Sequence, residues 1–188
     1  MTELRAKIIE EVIRQFNERG MKFTMDDIAA KLHISKKTIY KEFKDKNELF
    51  TETVNHGLAA LKEKEAQIIA DESLDIVEKL SRLIVCLPDK YKHIDFRRVY
   101  QLKESFPEVH SLIIGRLERD WEEAKSLIEE AKEKGLIRDL PVPLVRLMVD
   151  GTVEKFLGST DLMRAGIPYE ESLDIMMDII MNGIRVKK

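Results

Sequence analysis

Apolar residues recur along this chain at intervals of three and four, the spacing of helices with one buried face, and no stretch alternates as a strand would. Residues 3–19 place Ile9, Val12, Ile13 and Phe16 on one face, and Gly20 follows as a C-terminal stop. Thr24, with Asp27 three residues on, is a variant capping box that opens a second helix ending near Lys31, with Ile28 and Leu32 as its seam. Ser35 is the next N-cap, and Ile39 and Phe43 form the apolar side of a short third helix. Asp45 and Glu48 cap a fourth, from near Lys46 to about Ala70. Two short helices joined by a few residues describe a helix-turn-helix.

Beyond it the pattern predicts a fifth helix from Ser73 to Leu87, a break at Pro88, and a sixth around Asp95–Ser105. A long seventh starts at Pro107, a residue suited to a first helical turn, and ends near Gly135. Pro141 and Pro143 introduce an eighth that ends near Gly158. Pro168 introduces a ninth with Leu173, Met176, Met177, Ile180 and Ile184 along one face. The expected fold is all-α with about nine helices, a helix-turn-helix domain over residues 1–46 and a helical body over residues 47–188.

Only 8 Gly and 5 Pro among 188 residues suit helices better than a turn-rich sheet, and a chain of this length can bury a core without staples. The one cysteine, Cys86, lies in the apolar run Leu83–Leu87 and reads as a buried, inert thiol. That run is the longest apolar stretch, far short of the ~20 residues that cross a bilayer, and the first five residues open no signal peptide. A cytoplasmic protein with no membrane partner is expected. His33, His56, His93 and His110 lack metal-ligand spacing, and there is no glycine-rich phosphate loop or nucleophile elbow. Glu122, Glu123, Glu129 and Glu130 belong to a charged, solvated helix face. Neither an enzyme, a metal nor a cofactor is expected.

The net charge of −3 argues against a nucleic-acid partner until its distribution is considered. Residues 1–50 carry 11 Lys and Arg against 9 Asp and Glu, and the remainder 21 against 26. Between Lys31 and Lys46 six lysines face only Glu42 and Asp45. Screening limits what a phosphate backbone feels to such a local surplus. With Ile39 and Phe43 turned inward, 100° per residue puts Lys37 and Lys41 on the opposite face, flanked by Thr38 and Tyr40. Lysine donates to guanine or to phosphate, the threonine methyl can touch thymine, and the tyrosine hydroxyl suits a phosphate oxygen.

The segment Phe23-Thr-Met-Asp-Asp-Ile-Ala-Ala-Lys-Leu-His-Ile-Ser-Lys-Lys-Thr-Ile-Tyr-Lys-Glu-Phe-Lys-Asp-Lys-Asn-Glu-Leu-Phe50, with Phe16 ahead of Gly20, resembles the DNA-binding signature of the TetR family of bacterial regulators. It departs at His33, where a turn glycine is common, and at Glu42, where a neutral, aromatic or histidine residue is frequent. Histidine can occupy a left-handed turn position at some cost. The resemblance implies phosphate contacts by Thr24, Lys36, Tyr40 and Lys46. It also implies a homodimer through the eighth and ninth helices, with candidates Val145, Val149, Phe156, Leu173, Met176, Met177, Ile180 and Ile184. A pocket is expected among helices four to seven, with candidates Leu61, Cys86, Phe96, Tyr100, Phe106, His110, Leu117 and Trp121. The expected function is a sequence-specific repressor, released from a double-stranded operator by a small, largely apolar ligand. The alternative is a co-regulator that acts through a partner protein and has no operator of its own.

Overall fold

The computed structural model describes residues 1–88, 91, 102–119 and 121–186, the side chains of 116–119 excepted. Regular structure among them is helical, apart from an isolated antiparallel bridge between Ile137 and Arg185. The chain forms two compact units: residues 1–60 with the described part of 93–115, and 61–92 with 116–188.

In the first unit, α1 (Glu3–Arg19) is capped by Thr2, whose hydroxyl accepts the Arg5 N–H, and it ends at Gly20, where φ is +62°. A single 3-10 turn, Gly20–Lys22, leads to α2 (Met25–Leu32), then α3 (Lys36–Glu42) and the start of α4 (Lys46–Ala70). Of the faces expected from spacing, Ile9, Val12 and Phe16 of α1, Ile28 of α2, and Ile39 and Phe43 at α3 meet in one core, with Ile13 and Leu32 partly buried against it; Ile8 of α1 and Leu49 and Phe50 of α4 complete it. Phe50 sits at its middle, 6.5 Å from the Phe16 ring centroid, 5.6 Å from Phe23 and 4.9 Å from Phe106. Each such buried side chain contributes about 1.5–3 kcal/mol by leaving water.

The turn between α2 and α3 closes through His33, in the left-handed region at φ 54°, ψ 38°. Its conformation lets the Ile34 N–H reach back to the Ala29 carbonyl at 3.0 Å, satisfying a last-turn group of α2.

The second unit holds the rest of α4 and α5 (Ile76–Ile84), which opens on a reciprocal cap between Asp75 and Glu78. The expected seventh helix is two: α6 (Pro107–Arg119), whose first turns belong to the first unit, and α7 (Glu122–Glu133) in the second. Trp121 is the N-cap of α7, at φ −93° and ψ −2°, half-buried against the second core. No Pro or Gly between Gly115 and Gly135 signals this interruption; each half instead buries its own apolar side in a different core. Then come α8 (Val142–Gly158), a single turn α9 (Asp161–Arg164) and α10 (Tyr169–Ile184). Val77, Leu80 and Leu83 of α5 pack on Ala124, Ile128 and Ala131 of α7, and α10 closes the core against α5 and α8. Of the expected sixth helix only residues 102–105 are described, and they are helical.

Candidate nucleic-acid interface

Thr24 and Asp27 make the full reciprocal cap. The Asp27 N–H donates to the Thr24 hydroxyl at 3.2 Å, and the Asp27 carboxylate accepts from both the Thr24 N–H and its hydroxyl at 2.7 Å. These bonds, the hydroxyl's first, hold the Asp27 carboxyl below its usual range. Ser35 caps α3 by accepting the Thr38 N–H at 3.1 Å, and its hydroxyl lies 2.8 Å from that of Thr38. A seven-residue helix is thus fixed at its N-terminus by its own sequence.

Its two faces are cleanly divided. Ile39 and Phe43 are at most 1% exposed, whereas Lys37, Tyr40 and Lys41 are exposed and Thr38 is half-buried. Lys37 and Lys41 make no ion pair among the described residues. Lys36 is also exposed but lies 2.6 Å from Asp26, which raises its pKa through that hydrogen bond.

Lys46, expected at a phosphate, is half-buried in the free chain. Its ammonium turns inward, donating to the Phe23 carbonyl at 2.7 Å and the Met21 carbonyl at 3.4 Å, and lies 4.5 Å from the Phe23 ring centroid. Burial lowers its pKa. The cation ties the start of α4 to the segment before α2, because the last carbonyls of that segment have no helical N–H to accept.

Arg5 was not among the residues singled out by sequence, since its partners lie 37 and more positions away. Its guanidinium donates to the Glu42 carbonyl, lies 4.2 Å from the Phe43 ring centroid, and pairs with Glu52 at 3.4 Å and Glu48 at 3.7 Å. No local pattern announces such a contact.

Most of the expected dimer stripe is buried within the chain itself. Val145, Val149, Leu173, Met176, Met177 and Ile184 are each at most 7% exposed within one chain, and Phe156 and Ile180 are half-buried on the same cluster. The buried ones pack in the core of their own unit, and Phe156 and Ile180 keep part of their surface exposed. The exposed apolar ridges of these helices are Leu144, Leu147 and Met148 on α8, and Ile175 and Ile179 on α10.

The described residues among the expected pocket candidates belong to both units. Phe106 packs in the first core, and His110 is half-buried in the same unit. Leu61 and Trp121 are half-buried in the second. Phe96, Tyr100 and the Leu117 side chain lie outside the described residues. Cys86 is half-buried rather than fully buried, and it lines a cavity of about 370 Å³ within the second unit. The apolar part of that cavity is Ile68, Leu74, Val85, Leu87 and Leu173, and its charged edge is Lys64, Arg82, Asp71, Glu170 and Asp174.

Residues 8–53, which hold the capped helix-turn-helix, match the family model of bacterial regulatory proteins, tetR family. The helix-turn-helix segment is thus of the TetR type. Among curated relatives, the uncharacterized HTH-type transcriptional regulator YvaF of Bacillus subtilis (strain 168) is 26% identical over 178 residues, 95% of this chain and 94% of its own. The TetR fold extends over the body as well. A putative regulator from Saccharomonospora viridis, solved in complex with choline, superposes with a TM-score of 0.74 at 20% identity and full coverage of both chains. The fatty acid degradation regulator FadR from Bacillus halodurans gives 0.70 at 20% identity, covering 100% of this chain and 99% of that one. No helix among the described residues is long and apolar enough to cross a membrane.

Proposed function

We propose that this DNA-binding regulator is a dimeric repressor whose hold on its operator is loosened by a small amphipathic molecule. The observation that carries the DNA reading is the outer face of α3: Lys37, Tyr40 and Lys41 stand exposed on a capped helix whose opposite face is locked in the core. Such a helix suits a major groove, with Lys37 and Lys41 toward base edges or phosphates and Tyr40, Lys36 and Thr24 toward the backbone.

A second copy is the cover that fits the ridges of α8 and α10, where Leu147 and Ile179 are 70% and 66% exposed. A two-fold dimer that binds an operator presents its two α3 helices to successive grooves, about 34–36 Å apart. The effector site proposed is the cavity lined by Cys86. Its mixed lining favours a molecule with an apolar body and a polar or charged end, where sequence alone pointed to a largely apolar one. That a regulator of the same fold, from Saccharomonospora viridis, is solved in complex with choline supports a small-molecule effector.

Selection of bound sequences from a random duplex pool tests the reading. A reproducible two-half-site consensus is expected, and Lys37→Ala should change preference at one base position by roughly 1–3 kcal/mol or reduce the salt slope by about one counterion per half-site. Recovery of no sequence by the parent protein would overturn it. An effector found by thermal shift should bind the operator-bound dimer about 5- to 150-fold more weakly than the free one, because coupling is reciprocal.

A further inference from the structure

A seven-residue helix is too short to hold its own geometry, and the carbonyls of its last turn have no partners within it. In this chain the C-terminal end of α3 is held from outside. Arg5 on α1 places its guanidinium at that end, donating to the carbonyl of Glu42, the last residue of α3, where a cation also favours the negative end of the helix dipole. The same planar group lies against Phe43, which ends the helix, and reaches Glu48 and Glu52 in the first two turns of α4. Thr2 adds a bond from its hydroxyl to the Glu42 carboxylate at 3.3 Å. Glu48 in turn accepts the Lys44 N–H at 2.7 Å, which fixes the turn between α3 and α4.

We propose that Arg5 is a positioning residue for DNA reading: it sets the angle at which α3 is presented and ties that angle to α4. The inference rests on the DNA-binding reading of α3. The side-chain contacts of Arg5 converge on the α3–α4 junction, and the group is 24% exposed, turned into this cluster. A displacement of α4 carries Glu48 and Glu52 with it, and through the guanidinium it moves the end of α3. Lysine cannot replace the planar fork, because one ammonium cannot serve a carbonyl, a ring and two carboxylates together.

The test compares full-length parent, Arg5→Gln, Arg5→Lys and Glu52→Gln, each on a sequence selected by the parent and on an unrelated duplex, over a salt series, with concentrations set by folded dimer. For Arg5→Gln the expected result is a loss of about tenfold on the selected sequence, little change on the unrelated duplex and an unchanged salt slope, because a charge-assisted bond is lost and no phosphate contact is. Arg5→Lys should recover part of that loss, and Glu52→Gln should show a smaller loss of the same kind. An unchanged ratio of selected to unrelated affinity in Arg5→Gln overturns the proposal. So does a uniform loss with a flatter salt slope, which would make Arg5 a phosphate contact. If Arg5→Gln does not fold, an unchanged ratio in Arg5→Lys overturns it instead. A parent that selects no sequence overturns the DNA reading and this proposal together, whereas the other failures leave that reading standing.

Discussion

A lysine removed from water keeps its charge against a desolvation cost that its hydrogen bonds offset only in part. Lys46 is such a lysine, half-buried between two carbonyls and two rings. Its folded-state pKa lies below the ordinary value, with burial as the cause. In the alkaline range between the folded and unfolded values, the unfolded chain therefore binds more protons, and stability rises with pH through that window. Other lysines titrate there with the opposite sign: Lys36 and Lys132 have raised values through carboxylate partners. A comparison with Lys46→Met isolates the contribution. Urea unfolding should show the parent gaining on Lys46→Met as pH climbs from neutral through the lysine range. A constant difference would mean that folding leaves the lysine's pKa unchanged.

At the level of elements, the helix ends were the most legible part of the chain, because caps are local chemistry. Thr24 with Asp27, Ser35, Gly20 and the left-handed His33 stand where sequence placed them. The break at Trp121 was not legible. The residues around it favour one continuous helix, and only the existence of two cores divides them. His33 offers a measurable case of a residue held against preference, since a left-handed residue other than glycine costs about 1–2 kcal/mol. His33→Gly should raise the urea midpoint, with a net gain of at most about 1 kcal/mol once glycine's larger backbone entropy is counted. His33→Val should lower it, because a β-branched side chain fits that region worst. A lower midpoint for His33→Gly would show that the imidazole makes contacts worth more than the strain.

For the whole molecule, the dimer surface shows what periodicity cannot decide. The last helix is apolar on more than one side: Leu173, Met176 and Met177 face the chain's own core, while Ile175 and Ile179 face outward. Spacing identified a stripe but not which partner covers it, and the fuller stripe belonged to the fold. If the outer ridges pair two copies, Leu147→Glu combined with Ile179→Glu should yield a folded monomer, with light scattering at the single-chain mass and operator affinity sharply reduced. Val149→Glu, aimed at the core, should unfold the chain instead. A double variant that remains dimeric would move the interface elsewhere.

The position of Cys86 has a practical use. The chain holds one thiol, and it lines the cavity proposed for the effector while remaining partly accessible. A single alkylating label therefore becomes a built-in reporter that needs no engineering. Reaction of the native protein with a small maleimide, followed by intact mass, should slow when a molecule fills the cavity and stay unchanged when it binds elsewhere. A library of metabolites can then be screened by footprint at one atom, before any operator or regulated gene has been identified.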